Sequence, residues 1–133
     1  ATLPLLQGEG FDEYDPIKVD RISPEDAVAI RNGGAAATLR GIEFNCFGAF
    51  FSRAYRENDY LWGRLHGADR LIDILLSTMP SELSGDQSRK DAWKRAAFQA
   101  ILDEEEPRLT LIQAQIAAIR SEIDQAAADG SAA

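Results

Sequence analysis

The chain predicts an α+β fold, mainly α: a helical domain of about four to five helices with a short strand pair near the N-terminus. Three observations carry this expectation. From Leu61 onward, apolar residues recur at spacings of three and four, the period of a helix with one buried face. Two short stretches, IKVDRI at 17–22 and LRGIEF at 39–44, instead suit extended chain. The 133 residues are 45% apolar, enough for one domain with a real core.

Residues 1–16, ATLPLLQGEGFDEYDP, mix proline, glycine and acids with few periodic apolar positions and read as a linker-like lead. Together with Ala1 in place of methionine, this lead suggests a piece of a longer protein. A single mostly helical domain is expected over 17–129, with 130–133 as a frayed tail. In IKVDRI, Ile17 and Val19 point one way while Lys18 and Asp20 point the other. A short helix should follow to about Arg31, with Ser23 as cap, Pro24 in the first turn and Asp26 in capping-box position. Asn32-Gly33-Gly34 should stop it. The second strand, Leu39 to Phe44, could pair with the first, but two strands alone are marginal and need helices or a neighbouring sheet.

GAFFSRAYR suggests an aromatic helix of a few turns. Asn58 resembles the N-cap of the next helix, with Asp59 in its favoured acidic first turn. The apolar face of that helix is Leu61, Leu65, Ala68, Ile72, Leu75 and Leu76, ending near Met79 before Pro80 and a polar loop. Ser88 can cap a further helix whose stripe would be Ala92, Trp93, Ala96, Ala97, Ala100 and Ile101. Pro107 cannot sit inside a helix without losing a backbone bond. The acids Asp103 to Glu106 therefore read as the opening of a new helix, since at a helix C-terminus they would oppose the dipole. The last helix has a seam of Leu109, Ile112, Ile116, Ile119 and Ile123, which either packs into its own domain or serves self-association.

Net charge is −8, which argues against binding nucleic acid, a partner that demands a basic face. The lone Cys46 can form no internal disulfide, and the sequence shows neither a membrane-length apolar run nor a secretion signal, so a cytoplasmic setting is expected. No G-x-S-x-G nucleophile elbow is present. His66 is the only histidine, so a metal site or histidine-based triad lacks its partners. It falls opposite the main apolar stripe and reads as a surface or boundary residue. Cys46 reads as a small buried residue. Glu9, Asp12, Glu13 and Asp15 lack the ligand spacing of a calcium loop. No catalytic residue, metal or cofactor is expected.

Two stretches stand out. RENDYLWGRL, Arg56 to Leu65, interleaves arginines and acids around Tyr60 and Trp62. An exposed ion pair such as Arg53–Glu57 is worth about 0.3–0.5 kcal/mol, whereas burying a large apolar side chain is worth about 2–3 kcal/mol. Packing should therefore dominate, with the aromatics docking and the charges fixing the entry angle of a helix. In SRKDAWKRAAF, Arg89, Lys90, Lys94 and Arg95 surround Trp93. Such a helix either lies at a lipid interface or turns Trp93 to the core and leaves its cations to solvent.

The run GIEFNCFGAFFSRAYRENDYLWGRLHGADRLIDILL, with KVDRISPEDA before it, resembles the C-terminal region of bacterial patatin-related proteins. The F-G-A-F-F, R-E-N-D-Y-L-W-G-R-L and A-D-R-L-I elements carry the likeness over residues 17–76, with Arg56, Asn58, Asp59, Trp62 and Arg64 as its signature. Cys46 departs from it, standing where the resemblance leads one to expect histidine. The resemblance implies a parent enzyme that hydrolyses acyl esters of lipids through a serine–aspartate dyad. Neither dyad motif lies in this chain, so it implies for these residues a non-catalytic C-terminal domain of unknown function. Its expected partners are its own upstream catalytic domain, a lipid surface or a second copy of itself.

Overall fold

Ser52, not Asn58, starts the longest helix: its hydroxyl accepts from the Tyr55 amide at 3.2 Å. With no proline before Pro80, the helix runs uninterrupted through the whole signature stretch. The structure is a computed structural model in which residues 17–42 and 52–132 are described. Those residues form α1 (Gly34–Thr38), α2 (Arg53–Ser77), α3 (Ser81–Ser84), α4 (Gln87–Glu105) and α5 (Gln113–Ser131). The linker-like lead, Cys46 and the expected start of the aromatic helix lie outside the described residues.

The core is a layer between three helices. Leu61, Trp62 and Leu65 of α2 meet Phe98 and Leu102 of α4 and the seam Leu109, Ile112, Ile116, Ile119 and Ile123. Each such side chain contributes about 1.5–3 kcal/mol by leaving water. The seam thus packs inward as a unit, with Leu109 and Ile112 in the turn before α5. On α2 the face is narrower than expected, because Leu75 is 62% exposed.

The stripe of α4 is displaced from the expected one by about one residue. Phe98, Leu102 and Glu105 face inward, whereas Ala92, Ala96, Ala100 and Trp93 are exposed. Alanines fit either face, so the two bulky residues four apart set the rotation. Asp86 rather than Ser88 caps α4, accepting from the Arg89 amide at 2.9 Å. The acids Asp103 to Glu105 end this helix instead of opening another. Their conflict with the helix dipole is relieved by arginines: Arg64 on Glu104 at 3.0 Å and on Glu105, Arg108 on Glu105 at 3.2 Å, and Arg120 on Asp103 at 2.7 Å. Pro107 follows the helix end, where no backbone donor is missed.

No strand forms among the described residues, so the expected strand pair is corrected. Residues 17–22 lie along α2 in the opposite direction, held by Lys18 on Ser77 at 2.7 Å and by Arg70 on the Arg21 carbonyl at 3.0 Å. In the second candidate, the amides of Arg40 and Gly41 both donate to the Asp59 carboxylate at 2.6 Å, so they are not free for a ladder. Phe44 lies outside the described residues. The helix expected after Ser23 is a single turn, closed by Asp26 and Ala27 amides on the Ser23 carbonyl. The Ala29 amide then donates to Asp69 at 3.1 Å. Helix α1 begins where a stop was expected, entered through Gly33 and Gly34 with φ of 107° and 61°.

Candidate functional site

Asn58, Asp59 and Trp62 of the signature, with Asp69 and Arg70 further along α2, form a clasp for residues 21–41, which cover the helix as a strap. Asn58, buried inside the helix, donates to the Thr38 carbonyl at 2.9 Å and to Asp59 at 2.9 Å. Asp59 takes the two amides already described. The residues expected as cap and acidic first turn of a helix therefore hold a loop end. Trp62 is 1% exposed, and the Arg31 guanidinium lies 4.9 Å above its ring. Arg31 also donates to the Ala37 carbonyl at 3.0 Å and to both oxygens of Glu122 on α5. One strap side chain thus joins α1, α2 and α5.

Lower on the clasp, Arg64 bridges to the C-terminal acids of α4. Glu105 is fully buried and accepts from Tyr60, Arg64 and Arg108. Burial raises its carboxyl, but the bonds from Arg64 and Tyr60 and the charge of Arg108 outweigh that and hold it below the usual carboxylate range. The expected Arg53–Glu57 pair forms at 3.1 Å, and Glu57 also accepts from the Leu111 amide at 3.0 Å. Tyr60 is only half docked, 47% exposed as a residue while its hydroxyl reaches Glu105. Arg56 is exposed and lines a shallow cleft with Arg53, Tyr60 and Arg108.

His66 corrects its sequence reading. It is 6% exposed and tilted against Trp62, ring centroids 5.2 Å apart, and its Nε2 has no hydrogen-bond partner among the described residues. It lies four residues after Trp62 and so shares the buried side of α2. Sequence reasoning also missed Asp69 and Glu105 as buried acids. Their signal is positional: Asp69 follows Leu65 by four and Glu105 follows Leu102 by three, so both fall on apolar faces.

The four residues expected to frame a lipid-facing surface separate. Trp93 is 41% exposed, so it does not face the core. Lys90 and Arg95 are half-buried. Lys94 is buried and bonds Asp69 at 2.6 Å and Asp73 at 2.7 Å. Burial disfavours its ammonium, yet the two carboxylates hold its pKa above the ordinary lysine value. Lys94 is therefore a tie between α4 and α2. Among the described residues no group of three or more histidine, cysteine or acidic side chains could hold a metal. No helix among them is long and apolar enough to cross a membrane.

A family described as a protein of unknown function, DUF3376, matches residues 1–133. The chain belongs to this family. The chain is similar to the "Uncharacterized membrane protein Rv3479" of Mycobacterium tuberculosis, 48% identical over 42 residues that cover 32% of this chain and 4% of that protein. No solved structure matches the chain.

Proposed function

We propose that this DUF3376 chain is a non-catalytic C-terminal accessory domain of a patatin-like lipid acyl hydrolase, packing on the catalytic domain and helping to orient or stabilise it. One observation carries the reading. Ile17, Val19 and Ile22 are 83%, 85% and 53% exposed on a stretch that the strap ties to α2 without any sheet. A row of exposed apolar residues on pinned chain is a surface ready for a neighbouring domain. That stretch is tied to α2 by Lys18 on Ser77 and by Arg70 on the Arg21 carbonyl, the signature residues Asn58, Asp59 and Trp62 hold the chain that follows it, and the likeness to patatin-related C-terminal regions names the neighbour. The Mycobacterium tuberculosis relative, of which the matched stretch is 4%, agrees with a module in a longer protein. A cytoplasmic setting and no nucleic-acid partner belong to the same reading, given the single cysteine and the charge of −8.

Titration calorimetry of this chain into the parent's catalytic half tests it. Saturable binding that weakens in the double variant Ile17→Asp, Val19→Asp is expected. Heat no different from dilution would sink the proposal.

A second reading, a lipid-interface module, is favoured by the exposure of Trp93 and by the name of that relative, an uncharacterized membrane protein. Its anchor would be Trp93 with Lys90 and Arg95, without Lys94. Co-sedimentation with anionic liposomes should then fall in Trp93→Ala, and equal pelleting of the two proteins would remove it.

A further inference from the structure

We propose that the cleft between the first half of α4 and the last half of α5 binds a single-chain amphiphile with an anionic head group. The two helices share the core as far as Phe98 and Ile123, which are 3% and 4% exposed. Beyond that level α5 carries Ala126, Ala127 and Gly130, too small to fill the space, and a cleft of about 490 Å³ remains. Small-ligand sites span about 300–1,000 Å³. Phe98 and Ile123 close the floor of the cleft, and Ala92, Ala126 and Ala127 give it an apolar side opposite the polar Gln87, Ser88 and Asp91.

The cleft is lined by Lys94, Arg95 and Asp91, and its cations differ in what they meet. Of its two cations, Lys94 is already neutralised by Asp69 and Asp73. Arg95 is half-buried and makes no ion pair or hydrogen bond among the described residues. Asp91, one turn earlier, accepts instead from Gln87 at 2.8 Å. A guanidinium partly withdrawn from water and lacking an anion has its desolvation uncompensated until one arrives. A small inorganic anion would answer Arg95 but leave the apolar wall wet. A neutral alkyl chain would do the reverse. A chain ending in a carboxylate or phosphate answers both. This site stands on the cleft alone, whether or not the domain docks on a hydrolase.

Calorimetry on the full chain tests it with monomeric laurate and lauroyl lysophosphatidic acid, which separate a carboxylate from a phosphate head. Inorganic phosphate and dodecyltrimethylammonium are the comparators. Saturable binding of at least one anionic amphiphile is expected, weakened about tenfold or more by Arg95→Gln as a charge-assisted bond is lost. Ala127→Phe should block the cleft, while Arg53→Gln, an exposed cation on α2 outside it, should bind as wild type. If Ala127→Phe does not fold, the Arg95→Gln arm decides alone. Equal affinity for the cationic amphiphile, full competition by inorganic phosphate, or no loss in Arg95→Gln would overturn the proposal. So would pelleting with anionic vesicles in the absence of saturable monomer binding, which would point to a surface and not a cleft.

Discussion

Burial pushes the His66 imidazole below its ordinary value, against the opposing influence of the Asp69 and Glu25 charges. Trp62 covers one side of the ring, and Arg31 sits over Trp62, so no carboxylate compensates fully for lost water. The folded chain therefore resists protonation that the unfolded chain accepts below about pH 6.5. Stability from this residue is complete above that pH and is lost progressively as the pH falls below it. Urea midpoints measured between pH 7.5 and 5.5 should decline in the wild type, and His66→Phe, which keeps an aromatic ring on Trp62, should flatten that decline. An unchanged slope would mean that other groups titrate in this window. Sequence placed His66 on the wrong side of the helix because a lone histidine between apolar positions carries no sign of its own. Trp62, four residues earlier, was the clue to its burial.

At the scale of elements, the end of α4 shows how a local rule is overridden. Four consecutive acids before a proline suggested a helix start, because a helix C-terminus repels negative charge. Arg64 from α2, Arg108 from the following turn and Arg120 from α5 reverse that preference, and of these only Arg108, three residues after Glu105, lies within local spacing of those acids. The same limit explains the caps. Asn58 and Ser88 have the right chemistry, but Ser52 and Asp86 stand where the chain enters each helix. Glu105→Gln should cost about 1–3 kcal/mol, since it removes the buried charge that Arg64 and Arg108 share. Glu104→Gln, at the exposed edge of the same cluster, should cost under about 0.5 kcal/mol. Urea unfolding of both variants checks this, and equal effects would deny Glu105 its special place. Its folded pKa is lowered, so its contribution is present above the ordinary glutamate value and disappears on acidification below it.

Across the whole molecule, the helical layer was legible because its period is local: Leu61, Leu65 and the isoleucine seam lie where spacings of three and four place them. The strand pair was not, because alternation in IKVDRI records only that the chain is extended, and no ladder partner exists among the described residues. The strap's bonds run to α2 over long sequence separations, from Ala29 to Asp69 and from Arg31 to Glu122. Self-association was the alternative use of the seam, and within one chain Ile112, Ile116 and Ile119 are already 0%, 0% and 1% exposed. Truncating Ile119 to alanine should then create a cavity costing about 2–5 kcal/mol, and that loss should belong to a single molecule. The melting temperature of Ile119→Ala should fall by the same amount at low and high protein concentration. A seam that closed a dimer would instead make the melting temperature of both proteins rise with concentration, because dissociation is linked to unfolding by mass action. Thermal melts over a hundredfold range of concentration separate the two. Concentration-independent melting, with the variant displaced downward, would place the isoleucines in the intramolecular core that joins α5 to α2 and α4.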